Sequence, residues 1–297
     1  MTRISRRDVL KGVAVTGAAA AVAGVAEARE PKAAKPDDVG MLVDATRCVG
    51  CRACQTACRE ANELPVDRKS ANGGEYDAPL DLNGTTKTVV KLAQGDGETA
   101  YAKAQCMHCA DPACVSVCMA GALHKIEGGI VAYDKSICVG CRYCQIGCAF
   151  NVPKFQWFTA VPVISKCELC RQRGEKGPAC AEVCPRSAVV YGKRGALLAE
   201  AKRRIAAEPG RYASKVYGEV DGGGTNVLYL TSRKVSFAAL GLPELPARPL
   251  PQTSETVQHG IYKYGLAPAA LWTAVAVVQL RARKKEQAGT GREEGDR

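Results

Sequence analysis

The sequence predicts an α+β fold of two related modules followed by a C-terminal membrane helix, and three observations lead to this prediction. The 297-residue chain contains 16 cysteines, which fall into four groups of four. The phrase CVGCRACQTAC, which begins at Cys48, returns as CVGCRYCQIGC at Cys138 and agrees with it at eight of eleven positions. Residues 264–280 form an uncharged, mostly apolar run that basic residues follow at once. Aromatic residues make up only 5% of the chain, so we expect a bound cofactor to help hold the core together.

The N-terminal residues have the layout of a twin-arginine export signal. Arg6 and Arg7 precede a short run rich in Ala and Gly, which ends in the A-x-A cleavage signature Ala26-Glu27-Ala28. The alternative is a basic amphipathic or membrane-spanning helix, but the run is too short and too rich in small residues to span a bilayer well. We therefore predict export across the cytoplasmic membrane and cleavage after Ala28.

The spacing of the cysteines indicates iron–sulfur clusters. The first and third groups have the spacing C-x2-C-x2-C-x3-C of bacterial ferredoxins, in which three thiolates bind one cube and the fourth binds a second. The second group widens one gap to four residues and the fourth group widens it to nine, but all keep the final x3 step. In order, the groups are Cys48, Cys51, Cys54 and Cys58; Cys106, Cys109, Cys114 and Cys118; Cys138, Cys141, Cys144 and Cys148; and Cys167, Cys170, Cys180 and Cys184.

Disulfides and zinc are the alternative uses of these cysteines. An exported chain lies where disulfides persist, but eight disulfides would not require four quartets with a shared x3 ending. Structural zinc sites combine two C-x2-C pairs per metal, which four closely spaced cysteines do not suit. The sequence therefore predicts four [4Fe-4S] clusters, with iron held by the sixteen cysteines. A zinc- or disulfide-stapled structural protein is the remote alternative.

The internal repeat extends beyond the cysteines. A short apolar run and an aspartate, Asp44 or Asp134, precede the first and third groups. Small residues and a β-like stretch follow the second and fourth groups. The chain is therefore expected to contain two ferredoxin-like units, each made of two half-motifs.

The segments outside the cysteine groups show where the other elements lie. Residues 59–104 separate the first two groups and are expected to be an insertion that contains a strand in TKTVVKL. Residues 196–210 have helical composition and end at Pro-Gly. A Pro-rich stretch after residue 242 is expected to lead away from the globular part as a semi-rigid spacer.

The apolar run near the C-terminus predicts a membrane anchor. It is long enough to span a bilayer, and Arg281, Arg283, Lys284 and Lys285 follow it. Because positive residues stay on the cytoplasmic side, the body would lie outside the cytoplasmic membrane with its tail inside. A buried amphipathic helix is the alternative, but the run is apolar all round.

Composition argues against nucleic-acid binding and catalysis. The formal charge of +11 falls to +9 when residues 1–28 are removed, because they carry four basic and two acidic side chains. Four oxidised cubes with four thiolates each would add about −8, and no aromatic–basic patch for nucleic acid is found. The sequence has no C-x3-C-x2-C radical motif, P-loop or G-x-S-x-G motif. His108, inside CMHC, is the one histidine near a predicted cluster and is expected beside the cluster or at the surface.

The chain resembles the four-cluster electron-transfer subunits of periplasmic oxidoreductases, such as the β subunits of formate dehydrogenase and dimethyl sulfoxide reductase. Among them it most resembles the HybA-type subunits of membrane-bound uptake [NiFe] hydrogenases. The resemblance runs from the twin-arginine signal to the C-terminal helix and includes GMLVDATRCVGCRAC, QCMHCADPACVSVC, DKSICVGCRYC, NVPKF, KCELC and GGGTNVLYL. One departure is that proline follows only the last cysteine of the fourth group, as Pro185, whereas Arg59, Met119 and Ala149 stand at the other three places.

The resemblance implies that the modules interleave, with the first group pairing with the fourth and the second with the third. The implied ligands are Cys48, Cys51, Cys54 and Cys184 for cluster 1; Cys58, Cys167, Cys170 and Cys180 for cluster 2; Cys106, Cys109, Cys114 and Cys148 for cluster 3; and Cys118, Cys138, Cys141 and Cys144 for cluster 4. It also implies a non-catalytic wire between a catalytic subunit, with a hydrogenase small subunit favoured, and a quinone-reactive membrane subunit. The alternative is the equivalent subunit of a formate dehydrogenase or another molybdenum enzyme.

The predicted fold class is thus α+β, with two interleaved bacterial-ferredoxin-like modules, an insertion and a single C-terminal transmembrane helix. The predicted organisation is a signal peptide at 1–28, a linker at 29–40, a double ferredoxin-like domain at 41–195 with its insertion at 59–104, a C-terminal extension at 196–242, a Pro-rich spacer at 243–260, a transmembrane anchor at 261–281 and a cytoplasmic tail at 282–297.

Overall fold

The structure is a computed structural model that describes residues 30–66, 79–157, 159, 162–252 and 272–281. Pro31–Pro251 form one compact unit, and the second unit comprises Met1–Glu30 and Gln252–Arg297. The predicted signal peptide and residues 261–271 of the predicted anchor lie outside the described residues. Residues 272–281 are helical, and within the described ranges no helix is both long and apolar enough to cross a membrane.

The described part of the chain is a mixture of short strands and helices, as the predicted α+β class requires. The strands are β1 (Val39–Asp44), β2 (Val89–Gln94), β3 (Thr99–Ala104), β4 (Leu123–Lys125), β5 (Val131–Tyr133), β6 (Lys154–Phe155), β7 (Ile164–Ser165), β8 (Val189–Lys193) and β9 (Val227–Leu230). The helices of the larger unit are α1 (Ala53–Ala61), α2 (Ala113–Ser116), α3 (Tyr143–Ile146), α4 (Ala179–Glu182) and α5 (Arg194–Ala207).

The first module is built on β1, which lies between β8 and β9 in a three-stranded sheet. It pairs antiparallel with β8, with Val43 opposite Val189, and parallel with β9. Helix α5 packs its Leu197 against Leu42 on one face of β1, while Met41 and Val43 face the core on the other. Because both faces are covered, Met41, Leu42 and Val43 form a continuous apolar run rather than an alternating one.

The second module repeats this arrangement on a smaller scale. Strands β4 and β5 pair antiparallel, with Leu123 opposite Tyr133. The amide of Asp134 donates to the carbonyl of Ala122 at 2.8 Å, and in the first module the amide of Asp44 donates to the carbonyl of Ala188 at 2.7 Å. The repeat read from the sequence therefore corresponds to a repeated backbone arrangement.

The helices show how the halves of each module meet. Helix α1, which carries the end of the first cysteine group, packs against α4 of the fourth group. Helices α2 and α3, from the second and third groups, pack against each other. The second module is thus inserted within the first along the chain.

The segment between the first two cysteine groups contributes to the core. Its strand β2, expected from TKTVVKL, forms a hairpin with β3. Val89, Ala100 and Ala102 belong to the same buried cluster as Cys54 and Cys106. The side-chain carbonyl of Gln55 on α1 accepts a hydrogen bond of 3.1 Å from the amide of Val90, which ties the hairpin to the first cysteine group.

The Pro-rich segment differs from the expected spacer over its described residues. The hydroxyl of Tyr217 donates to the carbonyl of Pro243 at 2.6 Å, and the amide of Gly222 donates to that of Pro246 at 2.7 Å. Leu240 and Leu242 are buried just before it. These hydrogen bonds and buried leucines hold the start of the Pro-rich segment against the larger unit. The segment therefore does not lead away from the globular part there.

Candidate iron–sulfur cluster sites

The first C-x2-C loop of each cysteine group contains a residue with left-handed backbone directly before its second cysteine. These residues are Gly50, His108, Gly140 and Leu169, with φ between 46° and 70°. The turn aims the loop amides at the sulfurs, since the amide of Leu169 donates to the Sγ atom of Cys167 at 3.3 Å. Successive amides arranged in this way form an anion-binding concavity of the kind that surrounds iron–sulfur clusters.

Cysteines from the first and fourth groups meet around one cavity. Cys48, Cys51, Cys54 and Cys184 line it, together with apolar side chains that include Val43. Burial raises the pKa of the Cys54 thiol to about 12, and nearby thiolates add to this. We call these four cysteines set 1.

The remaining cysteine of the first group lies with the fourth group. The side-chain amide nitrogen of Asn62 is 3.8 Å from the Sγ atoms of both Cys58 and Cys170. Burial raises the pKa of the Cys167 thiol to about 12, and the Cys58 and Cys180 thiolates raise it further. Cys58, Cys167, Cys170 and Cys180 are set 2, and all four are buried.

The second and third groups exchange their last cysteines in the same manner. Cys109, Cys114 and Cys148 line a second cavity beside Phe150. Cys106 is close enough that, after burial, its thiolate contributes to the raised pKa values of Cys109 and Cys114. These four cysteines are set 3.

Set 4 consists of Cys118, Cys138, Cys141 and Cys144. Burial raises the pKa of the Cys144 thiol to about 12, and the thiolates of the other three raise it further. Because a cluster ligand must be deprotonated, positive iron would have to offset this preference of the buried sulfurs for the thiol form.

The sets follow one another through the core and end at exposed sulfurs. Burial raises the pKa of Cys54 in set 1, and the Cys180 thiolate of set 2 raises it further; the Cys144 thiolate of set 4 likewise adds to the raised pKa of the buried Cys114 in set 3. Burial also raises the pKa of Tyr229, and the thiolates of Cys167 in set 2 and Cys106 in set 3 raise it further. Sets 1 and 4 each contain an exposed cysteine, namely Cys51 and Cys141, and the cysteines of sets 2 and 3 are buried or half-buried. The order is therefore linear, with a buried middle and two open ends.

The donor chemistry fits iron–sulfur clusters. All sixteen cysteines lie within the described residues, and none of them forms a disulfide. In the described ranges, no three His, Cys, Asp or Glu side chains lie close enough together to hold a single metal ion. What the sets offer is groups of four cysteine sulfurs, which at sets 1 and 3 line cavities, near loops whose amides can donate to an anion.

His108 is buried and does not reach the surface. Its Nδ1 atom accepts a 3.0 Å hydrogen bond from the amide of Val131, so the neutral ring carries its proton on Nε2. Burial lowers the pKa of His108 well below its usual value, and Lys166, Lys125 and Lys103 lower it further. Of the two places that the sequence left open, the surface is therefore wrong, and a place beside a cluster stays a prediction.

Sequence reasoning did not find several polar residues around the sets. Asp44 accepts hydrogen bonds of 2.9 Å from Arg204 and 3.0 Å from the hydroxyl of Tyr212, which ties α5 to the loop of set 1. Lys103 and Lys166 are buried lysines close to the cysteines. For Lys103 there was no sequence signal, because the strand expected in this segment was TKTVVKL and residue 103 lies outside it.

Two protein families match the chain. The twin-arginine translocation pathway signal sequence matches residues 3–23, so the predicted export signal is confirmed. The 4Fe-4S dicluster domain matches residues 98–194, which contain the second, third and fourth cysteine groups, and confirms that these groups are of the iron–sulfur kind. The count of four clusters stays a prediction.

Relatives of similar length extend these findings. The chain is 38% identical to the hydrogenase-2 operon protein HybA of Escherichia coli O157:H7, over 95% of this chain and 97% of the relative. It is 35% identical to the formate dehydrogenase-O iron–sulfur subunit of Escherichia coli K12, over 76% of this chain and 77% of the relative. It is 33% identical to the formate dehydrogenase iron–sulfur subunit of Haemophilus influenzae, over 76% and 72% of the two chains.

Proposed function

The chain belongs to the family of iron–sulfur electron-transfer subunits that includes the hydrogenase-2 operon protein HybA and the formate dehydrogenase iron–sulfur subunits, and we propose that it carries electrons between a periplasmic hydrogenase and a quinone-reactive membrane subunit. The single observation that supports a wire most directly is the linear order of the four cysteine sets. Its two ends carry the exposed Cys51 and Cys141, where partner centres can come close.

Each set is proposed to hold one [4Fe-4S] cluster, which supplies one-electron redox chemistry when bound. Set 1 is Cys48, Cys51, Cys54 and Cys184; set 2 is Cys58, Cys167, Cys170 and Cys180; set 3 is Cys106, Cys109, Cys114 and Cys148; and set 4 is Cys118, Cys138, Cys141 and Cys144. The proximity of Cys58 to Cys170, and of Cys184 to the cavity of the first group, supports this assignment.

The protein's own residues keep water from the proposed clusters and position hydrogen-bond donors around their sulfurs. Val43, Val90 and Val189 line the space of set 1 and keep water from it. The left-handed loop residues direct amides toward the sulfurs, and hydrogen bonds of this kind stabilise the anionic thiolates and tune cluster potentials. No residue of the chain is assigned a step of bond making or breaking, so we propose a non-catalytic subunit.

The proposed location is the periplasmic face of the cytoplasmic membrane. The export signal supports the compartment. We propose the domain organisation given by the sequence, with a transmembrane anchor at 261–281 and a cytoplasmic tail at 282–297. The part of the apolar run that the structure describes supports an anchor, because Trp272, Val278 and Leu280 are each 59% exposed or more.

The catalytic partner is proposed to be a hydrogenase small subunit. The relative named for hydrogenase-2 covers nearly the whole of both chains, whereas the formate dehydrogenase subunits cover about three quarters. This difference in coverage favours a hydrogenase over a formate dehydrogenase. The second candidate is the equivalent subunit of a formate dehydrogenase or another molybdenum enzyme.

Cofactor analysis tests the proposal. The mature chain, purified without oxygen from its native membrane, should contain about sixteen irons and an equal amount of acid-labile sulfide, since four cubes carry four of each. After reduction by dithionite, the electron paramagnetic resonance spectrum should show magnetic coupling between the clusters. A hydrogenase small subunit should co-purify with the chain. Stoichiometric zinc, or eight disulfides, would contradict the proposal, and co-purification of a molybdenum enzyme would favour the second candidate.

A further inference from the structure

Lys103 is a buried cation at the centre of the larger unit. It lies on β3, its residue is 2% exposed, and its side chain lines the cavity of set 1 together with Cys54 and Cys184. On the same face of the strand, the ring of Tyr101 covers the first cysteine loop at Gly50. Strand β3 therefore covers the first cysteine group and carries a positive charge into the space behind it.

Within the part of the chain that the structure describes, no carboxylate forms an ion pair with this charge. Among the described residues, the Lys103 ammonium donates to the side-chain carbonyl of Gln105 and forms no ion pair. Two other lysines near the cysteines donate to backbone carbonyls. Lys166 donates to the carbonyl of Cys167 at 3.0 Å, and Lys125 donates to the carbonyl of Ala110 at 3.0 Å. An ammonium has three donors and is costly to bury without a counter-charge. Lys103 therefore requires an anion nearby in addition to the neutral Gln105 carbonyl.

The cysteines near Lys103 would supply that anion as thiolates, since Cys54 lines the same cavity and belongs to one buried cluster with Cys167 and Cys180. Burial alone would lower the pKa of Lys103, but the thiolates of Cys180, Cys167, Cys54 and Cys58 together raise it above its ordinary value. Cys54 belongs to set 1 and the other three belong to set 2. The ammonium is therefore within electrostatic reach of two neighbouring sets.

We propose that Lys103 is a positioning charge that sets the reduction potentials of the first two clusters together, by holding one buried positive charge between set 1 and set 2. The inference rests on the proposed function, since it requires a cluster in each set. Each reduction adds a negative charge, which a nearby cation stabilises, and burial weakens solvent screening of that attraction. One lysine shared by two clusters therefore raises both reduction potentials together, and this stabilisation offsets part of the repulsion between electrons placed on both.

Redox titration of the full-length, cluster-loaded protein tests this inference. Lys103→Met removes the charge with little change in volume, and Lys103→Arg keeps the charge. Lys91→Met is the matched control, because Lys91 lies on the neighbouring strand β2 and pairs with Asp81 at 2.7 Å at the surface. The midpoint potential of each cluster would be followed by electron paramagnetic resonance. Cys184→Ser and Cys58→Ser identify the signals of sets 1 and 2.

In Lys103→Met, the equilibrium constant for one-electron reduction should fall at least tenfold at sets 1 and 2, which is about 59 mV for each cluster. Sets 3 and 4 should change much less, Lys91→Met should leave all four unchanged, and Lys103→Arg should restore the first two. If Lys103→Met loads clusters only in sets 3 and 4 while Lys103→Arg loads all four, the need for a charge between sets 1 and 2 is likewise supported.

Two outcomes would overturn the inference. The first is a loaded Lys103→Met protein with wild-type potentials. The second is an equal loss of all four clusters from Lys103→Met and Lys103→Arg, which would give Lys103 a role in packing alone. Neither result affects the proposed function, which fails separately if the unmodified protein lacks clusters.

Discussion

At the residue scale, the last cysteine of each group belongs to a different set from the three that precede it. Cys58 follows Cys54 on the same helix, yet it lies beside Cys170, more than a hundred residues away. On a helix, residues four apart occupy the same face but successive turns, so Cys54 and Cys58 can face different cavities. The x3 step thus separates two sets with one short helix.

This geometry leads to a prediction for two single substitutions. Cys58→Ser should perturb the cluster of set 2 and leave set 1 intact, because set 1 takes its fourth sulfur from Cys184. Cys184→Ser should do the reverse. Spectroscopy shows which cluster is altered, for example by its conversion to a three-iron cluster, and so distinguishes damage to set 1 from damage to set 2. Damage to set 1 in Cys58→Ser would mean that the first group binds its cluster locally and that the modules do not interleave.

The left-handed loop conformation is favoured by the residue itself at two positions and is stabilised by the fold at the other two. Gly50 and Gly140 adopt positive φ at little cost, whereas His108 and Leu169 hold the same conformation with side chains, at about 1 kcal/mol or more each. Their burial and the hydrogen bond from Val131 to His108 stabilise the strained turns. A sequence pattern can therefore indicate this conformation only where glycine occupies it.

At the element scale, helix α1 explains one of the missing prolines. It extends to Ala61, three residues beyond Cys58, so Arg59 lies inside it. Helices α2 and α4 end before the last cysteine of their groups, and Pro185 follows Cys184 outside any helix. Proline in a helix interior removes an amide donor and clashes with the carbonyl four residues earlier. The helix that leads into the insertion accordingly excludes proline at residue 59.

Because residue 59 lies in a helix and residue 119 in a turn, proline should have different effects at these two places, each directly after the last cysteine of its group. Arg59→Pro should destabilise the protein by about 3 kcal/mol and reduce the iron bound at set 2, because it breaks α1 next to Cys58. Met119→Pro is the matched control, since Met119 follows Cys118 in an exposed turn and is 77% exposed. Iron content and melting temperature of both variants check the prediction. Equal losses in the two variants would contradict the assigned role of the helix.

The hairpin β2–β3 is a second element whose role the sequence understated. It was expected as part of an insertion, and its composition shows only a strand and turns. In the structure its apolar face completes the core around Cys54 and Cys106, and its other face brings Lys103 to the cysteines. Packing of this kind depends on which surface a hairpin covers, and that is a property of the fold rather than of the segment.

At the scale of the whole molecule, the four sets and the two exposed cysteines define a path with ends. Set 2 is buried and set 3 is buried or half-buried, so the proposed exchange with partners takes place at sets 1 and 4. A wire with this geometry protects its middle from solvent and from unwanted acceptors. Partner binding at the two ends then determines where electrons enter and leave.

The proposed anchor is tested at this scale by truncation. A chain that ends after Gln258 lacks the apolar run and its basic flank, so it should be exported, loaded with clusters and released from the membrane. Quinone reduction by the complex should fall, because the subunit loses its high local concentration at the membrane partner. Fractionation and iron analysis check this result. Retention of the truncated chain in washed membranes that lack the partner would contradict the anchor.

The sequence by itself determined the chemistry and the destination of the protein. Ferredoxin spacing, the count of sixteen cysteines and the twin-arginine signal are local patterns, and a C-x2-C loop needs only its own residues to turn its sulfurs together. The strand in TKTVVKL and the helix near residue 200 were also recognised, because period and composition are local as well.

Only the tertiary structure decided which sulfurs meet and what lies between them. Cys184 joins set 1 because α4 packs on α1 and β8 pairs with β1, contacts between residues more than a hundred positions apart. The resemblance implied this pairing, but spacing alone left it open. The burial of Lys103 and His108, the link from Arg204 to Asp44, and the exposure of sets 1 and 4 likewise arise from packing between distant segments. Burial and charge separation are properties of the folded chain, which no local pattern encodes.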